Sequence, residues 1–290
     1  MEVTYLELSE RPSLARRIKK IFFRNSFISV GTLIMVIVLI TALAGPTLCR
    51  YDPIKSSIRQ RLLPPGPKHL FGTDGFGRDV LTRIVYAARI SLKIALIIVV
   101  VTTLLASIIG VCVSWYRWLD NPVMRIMDVL MSIPSLILAI ALMGFLGAKL
   151  TNLVIAIVLT QLPRMTRVVR SAVISIRENE YIEAARSLGA SDLRIMFKYI
   201  FLNSLSPIVV QATFLFAHAI LVESALSFIG VGTPPPTPSW GNMLAEGREY
   251  ISVAWWLTVI PGLSIMTTVL GLNLLGDGLR DLLDPRLRGL

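Results

Sequence analysis

Apolar residues run in long blocks along this chain, and polar residues collect between them. Six blocks approach the ~20 apolar residues that a helix needs to cross a bilayer core. They are residues 27–44 (FISVGTLIMVIVLITALA), 91–113, 126–147 (IMDVLMSIPSLILAIALMGFLG), 152–169, 207–230 and 253–275. The pattern predicts an all-α, polytopic membrane protein with six transmembrane helices. Only Ala148–Thr151 separates the third block from the fourth, so these two should form a tight hairpin. Pro134, Pro163 and Pro261 fall inside or at the end of spans, where neighbouring helices can satisfy the carbonyls they free.

The polar segments carry the remaining organisation. Residues 46–67 hold Pro46, Pro53, Pro64, Pro65 and Pro67 and read as an irregular loop. After them Thr73 or Asp74 is placed to cap a helix. Val80, Leu81, Ile84 and Val85 give that helix one apolar face, ringed by Arg78, Arg83 and Arg89. It is expected to lie at the membrane surface and lead into span two. Asp74, Arg78 and Asp79 read as a structural ion-pair knot. Residues 171–206 are different, because a charged helix–Gly–helix sits there between apolar blocks (ENEYIEAARSLGASDLRIMFKYIF, 178–201). Tyr181, Ile182, Ala185 and Leu188 recur at helical spacing, and Gly189 follows at a C′ position. A second helix then starts at Ser191 or Asp192 and places Leu193, Met196, Phe197 and Ile200 at i, i+3, i+4 and i+7. Neither helix is expected to span. A rigid polar elbow with an apolar side is a docking piece for a soluble partner.

Composition agrees with the blocks. The 290 residues are 54% hydrophobic and 16% charged, where a soluble domain carries about a quarter charged. The net charge of +11 falls between apolar blocks, not on soluble faces. That suits anionic lipid head groups and gives no reason to expect nucleic acid. Lys and Arg also set orientation. Arg11, Arg16, Arg17, Lys19, Lys20 and Arg24 precede the first span, and Arg280, Arg286 and Arg288 follow the last. Both termini and the 171–206 segment are therefore expected in the cytoplasm. Loop 231–252 holds one Arg and faces out. Segment 45–90 is also assigned outside although it is rich in Arg and Lys, because the rule weakens for a segment with structure of its own. The expected organisation is a cytoplasmic segment 1–26, a first transmembrane helix 27–44 and an extracytoplasmic loop with interfacial helix 45–90. A five-helix permease core 91–276 and a cytoplasmic tail 277–290 complete it. The basic run before span one and Ala42-Leu43-Ala44 resemble a secretory signal. The apolar run exceeds a usual signal core, so a retained span is expected.

Chemistry of its own is not written in the chain. There is no GxxxxGK[ST], HExxH or GxSxG. GDGLRD (276–281) resembles a dinucleotide fingerprint only superficially, lacking the third Gly and the preceding strand. Cys49 and Cys112 form no CxxC, and His69 and His218 are too few and too distant for a metal cluster. No catalytic residue, metal or cofactor is expected. Energy must come from a partner or an ion gradient, and an ion path is usually marked by several intramembrane charges. Here Asp128 sits near the start of span three, within reach of Arg125 at i, i+3. Glu223 lies in the outer half of span five and should face the bundle interior. It suits the α-amino group of a peptide or a cation, and equally a partner subunit or a protonated state. Glu223 and His218 are the candidate translocation-path residues.

Glu183-Ala184-Ala185, three residues, then Gly189 resembles the EAA motif of permease subunits of ABC importers. FGTDGFGRDVLTRIVYAARISL, Arg125 through Leu142, SFIGVGTPPPTPSWGNML (227–244) and NLLGDGLRDLLDPRLRG (273–289) are similar to the C-type subunit of the dipeptide, oligopeptide and nickel importers. One departure follows the motif: relatives usually carry Pro where this chain has Leu202. The resemblance implies a coupling helix seated on an ATPase, with Glu183, Ala184, Ala185, Gly189, Ser191 and Asp192 as the coupling residues. It implies a homologous B-type permease as heterodimer partner, two ATP-binding subunits and an extracytoplasmic substrate-binding protein near 231–252. The setting is a bacterial or archaeal plasma (inner) membrane. Di- or oligopeptides are the expected cargo, with nickel, glutathione or a similar conjugate as alternatives and an ion-driven secondary transporter as a more distant one.

Overall fold

The computed structural model describes residues 26–283, and the expectations for 1–25 and 284–290 lie outside them. Among the described residues the chain is helical, with a single isolated bridge between Thr73 and Asp79. The helices are α1 (Ser26–Leu48), α2 (Val80–Trp115), α3 (Arg117–Ser132), α4 (Ser135–Leu146) and α5 (Leu150–Arg177), followed by α6 (Glu180–Ser187), α7 (Asp192–Ile229), α8 (Trp240–Gly247) and α9 (Trp256–Leu283). Five of them, α1, α2, α5, α7 and α9, are long and apolar enough to cross a membrane. A sixth span exists if α3 and α4 count together, but they meet at a 92° bend.

Several boundaries differ from the sequence reading, each for a local reason. The surface helix expected before span two does not stand apart. From Val80 the chain has no Pro, and no Gly before Gly110, so both pieces form one 36-residue helix. Its cap is Asp79, not Thr73 or Asp74: the Asp79 carboxylate accepts from the Thr82 backbone N–H at 2.8 Å. The third span is not one straight helix. Pro134 takes the N-cap position of α4, and its ring is incompatible with continuing α3. Asp128 pairs with Arg167 on α5 (2.5 Å) instead of Arg125. Pro46 lies inside α1, which runs to Leu48. The loop expected outside, 231–252, contains α8, and α9 carries on through the start of the expected tail to Leu283. Trp240 and Trp256 are buried within the bundle; the Trp256 indole donates to the Thr73 carbonyl (3.2 Å). The expected hairpin does form at Gly147–Lys149, with Gly147 at φ +87°.

Two apolar cores divide the bundle along its length. One holds Val80, Ile94, Ile98, Met143, Ile157, Leu226 and Trp240. The other holds Val111, Met127, Met165, Ile182, Ile195 and Ile200. Helices α2 and α5 run parallel, because the last turn of α2 meets the last turn of α5: Arg177 donates to the Ser114 carbonyl at 2.6 Å. The α3–α4 pair therefore carries the chain from the second core back to the first, with Met127 in one and Met143 in the other.

Helix α1 is fastened to α9 through glycine. A Cβ at Gly31 would come within 2.7 Å of the Leu275 amide nitrogen and 2.9 Å of the Gly271 carbonyl oxygen, both backbone. Close backbone approach at small residues is how helices associate in lipid. Gly31→Leu is expected to lower stability by about 1–3 kcal/mol by overpacking. A thermal melt of the detergent-solubilised protein reads this as a drop of the midpoint, and an unchanged midpoint would show that α1 is not held by this contact.

Candidate functional site

The elbow forms at the end of the bundle where α2 and α5 finish. Helix α6 stops in a Schellman turn: Ala190 N–H donates to Ala185 C=O (3.1 Å) and Gly189 N–H to Arg186 C=O (3.0 Å). Gly189 stands at φ +79°, the left-handed region that the turn requires. Ser191 takes the N-cap backbone position of α7, although its side chain makes no capping bond. Below the turn, Ile182 and Ala185 are buried, and Ile182 joins Ile195 and Ile200 in the second core. Arg186 and Arg177 lie over the Trp115 ring (5.2 and 5.7 Å to its centroid), which ties the elbow to the end of α2. Arg170 grips Asp120 through two bonds of 2.7 and 2.6 Å, tying α5 to α3 at the same end.

The elbow presents a second face outward. Leu188 (88% exposed), Phe197 (67%) and Leu193 (64%) stand clear of the bundle with Tyr181. Glu183, Ala184, Gly189, Ser191 and Asp192 are exposed beside them, and Ala185 is not. The expected apolar face is thus split: half holds the elbow to the core, and half is offered away from it. The second elbow helix is not a separate short element. It is the first three turns of α7, through a wide π-type stretch at Ile195–Phe201, and it continues into the span through Leu202 and Pro207 without a break. The elbow's boundaries shift accordingly: 171–177 belong to α5 and 192–206 to α7.

At the opposite end the expected ion-pair knot forms, with two further members. Asp74 binds Arg78 (2.7 Å) and Arg83 (2.5 Å), and both arginines also reach Glu246 on α8 (2.6 and 2.5 Å). The Asp74 carboxylate accepts the backbone N–H groups of Phe76 and Arg78 as well. Asp79 stays out of the knot; it caps α2 and holds His69 at 2.8 Å. Glu246 lies more than 160 positions from its partners, so no local sequence signal marks it.

The two candidate path residues are not brought together. Glu223 is fully buried and enclosed by hydroxyls: Ser227 and Thr233 donate to one carboxylate oxygen (2.8 Å each) and Ser91 approaches the other at 3.4 Å. Those bonds fold residues 230–239 over the end of α7, where Gly230 at φ +92° ends the helix. His218 opens instead on a separate cavity with Arg164, Gln211 and Asn273. Neither residue belongs to a possible metal cluster; among the described residues no group of three or more His, Cys, Asp or Glu could hold one.

The sequence has close relatives among known proteins. The family model described as binding-protein-dependent transport system inner membrane component matches residues 102–289. A putative peptide transport system permease protein of Brucella suis biovar 1 is 46% identical over 94% of this chain and 91% of its own length. A dipeptide transport system permease protein of Alkalihalophilus pseudofirmus is 43% identical, covering 91% and 88%. A di/tripeptide transport system permease protein of Pseudomonas aeruginosa is 41% identical, covering 96% and 94%.

Proposed function

Because the chain belongs to the inner membrane components of binding-protein-dependent transport systems, we propose that it is a permease subunit of an ATP-driven importer of di- and oligopeptides. The peptide cargo follows the names of its near full-length relatives, which favour it over nickel or glutathione. The observation that carries the mechanism is the elbow: a capped helix–Gly–helix, anchored below by Ile182 and Ala185, that offers Leu188, Leu193 and Phe197 outward. An apolar patch on an otherwise polar element marks a protein contact.

In this reading two ATP-binding subunits dock at the elbow, with Glu183, Ala184, Gly189, Ser191 and Asp192 on the contact face and Ala185 holding that face to the core. A homologous B-type permease completes the pore, and a substrate-binding protein meets the knot end near α8. The parallel course of α2 and α5 supports six crossings, with α3 and α4 as one broken span. The start of α1, the elbow and the end of α9 all lie at one end, since Gly278 packs on Ile28 and the other end of α1 packs at the start of α2 through Gly45 and Val85. With the basic flanks of the chain, that end is cytoplasmic. Closure of the ATPase pair would push on α6, and α6 can pass that push to α5 and α7, because Ile182 packs in one core with Met165, Val169 and Ile195.

Uptake of a labelled dipeptide into proteoliposomes holding the whole assembly tests the cargo. ATP-dependent uptake, competed by unlabelled dipeptide and not by nickel ions, is expected; the reverse competition would overturn the peptide reading. Glu223 serves structure in this scheme. Glu223→Gln is expected to cost about 1–3 kcal/mol of stability, because an amide N–H then faces hydroxyl donors. Uptake per folded assembly should stay within about twofold, well under the tenfold that 1.4 kcal/mol represents. A large loss of uptake at unchanged stability would return Glu223 to the solute path.

A further inference from the structure

A cavity of about 460 Å³ opens between α5, α7 and α9, within the range of small-ligand sites. Arg164 reaches it from α5, Gln211 and His218 from α7, and Asn273 and Arg280 from α9; no acidic residue lines it. Among the described residues the side chains of Arg164, Gln211, Asn273 and Arg280 make no hydrogen bond or ion pair with the protein. The Nδ1 of His218 is buried and has no partner either. Four other arginines, Arg78, Arg83, Arg167 and Arg170, are each paired with a carboxylate.

A polar side chain inside a membrane protein normally finds a partner, because the bilayer core offers no water to replace one. Here five polar groups from three helices converge without a protein partner, Gln211, His218 and Asn273 half-buried and Arg164 and Arg280 exposed on the open side of the cavity. Each guanidinium presents five N–H donors in a fork matched to a carboxylate. With two guanidiniums and no carboxylate on its lining, the cavity attracts an anion and repels an approaching ammonium. Phe214, Ala217 and Leu221 supply an apolar wall on the same cavity. A free peptide carries one terminal carboxylate beside an apolar or polar side chain, and this surface is complementary to that end and not to the α-amino end.

We infer that the cavity receives the terminal carboxylate of the transported peptide during its passage, with Arg164 and Arg280 as counter-charges. This rests on the peptide reading above. A lipid phosphate presents the same anionic oxygens. For Arg164 depth favours the solute: it stands midway along α5, about 20 Å from either end at 1.5 Å per residue, whereas Arg280 lies in the last turn of α9, at the mouth of the cavity.

The test uses the complete assembly in proteoliposomes with saturating binding protein, and reads dipeptide uptake and ATP hydrolysis together. Arg164→Gln and Arg280→Gln are expected to lower uptake per ATP hydrolysed about tenfold each, the weight of one lost charge-assisted contact. Arg164→Lys should restore part of it, and serves as the deciding variant if the Gln variant fails to assemble. The deficit should not change with the share of anionic lipid. Unchanged uptake per ATP in Arg164→Gln and Arg280→Gln, or in Arg164→Lys and Arg280→Gln, would overturn the inference. So would a deficit that appears or vanishes with lipid charge, which would assign the arginines to head groups. A wild-type assembly that hydrolyses ATP but takes up no peptide would overturn the peptide reading itself, and this inference with it.

Discussion

Gly189→Arg is expected to leave the protein inserted in the membrane while uptake falls to background. Two effects act at this position, and their sizes differ. The first is conformational. Gly189 sits at φ +79°, where any other L-residue costs roughly 1–2 kcal/mol. Space is not the problem, since a Cβ there would meet nothing within 4 Å. Strain of that size frays the Schellman turn without unfolding α6, whose Ile182 is held in the core. The second effect is a long cationic side chain planted on the exposed face beside Leu188, where a docked partner would have to bury it unpaired. An uncompensated buried charge costs about 3–5 kcal/mol, enough to release a partner. Gly189→Ala separates the two, because it keeps the strain and omits the charge. It should retain substantial uptake, and ATP-binding subunits should still co-purify with it. Equal loss in both variants would mean that the turn's shape matters and the docking face does not.

Asp74→Ala is the second large effect, and it acts at the other end. Asp74 bonds two buried arginines and two backbone N–H groups. Its removal leaves Arg78 and Arg83 sharing Glu246 alone. Breaking such a buried network is expected to cost about 3–5 kcal/mol. The knot joins the loop before α2 to α8, so its failure should free that loop and the start of α2 together. The expected readouts are a sharply lower melting midpoint in detergent and new proteolytic cleavage within 49–79. Glu246→Gln should do less, because that carboxylate is 31% exposed and water can reach its partners. A melting midpoint unchanged by Asp74→Ala would show that the arginines find other partners and that the knot is dispensable.

How much of this was legible beforehand differs by element. The apolar blocks were long enough to read directly, and α1, α2, α5, α7 and α9 lie where they predict. The elbow was legible too, because helical spacing and one Gly are local signals, and the Schellman turn at Gly189 forms where they put it. What local signals could not give was continuity. Nothing in an apolar window says whether a surface helix joins the next span; the 36 residues of α2 are one helix because no breaker interrupts them. The same holds for the second elbow helix, which runs into span five as one helix through Leu202 and Pro207. Pro134 was visible, but whether a proline kinks a helix or ends it depends on the packing of Met127 and Met143 in different cores. Long-range partners were invisible for a plainer reason. Glu246 with Arg83, Arg167 with Asp128, and the convergence of Arg164 with Arg280 are set by tertiary packing and leave no periodicity in the chain.

The claim on which the rest depends is that the elbow end, not the knot end, meets the ATP-binding subunits. Site-specific cross-linking in cells that express the whole assembly tests it most directly. A cysteine at Leu188 on the elbow and one at Phe76 beside the knot are both exposed and lie at opposite ends. With a short thiol cross-linker, the Leu188→Cys protein should join to an ATP-binding subunit, and the Phe76→Cys protein should not. An ATP-binding subunit captured from Phe76→Cys and never from Leu188→Cys would contradict both the coupling role and the orientation.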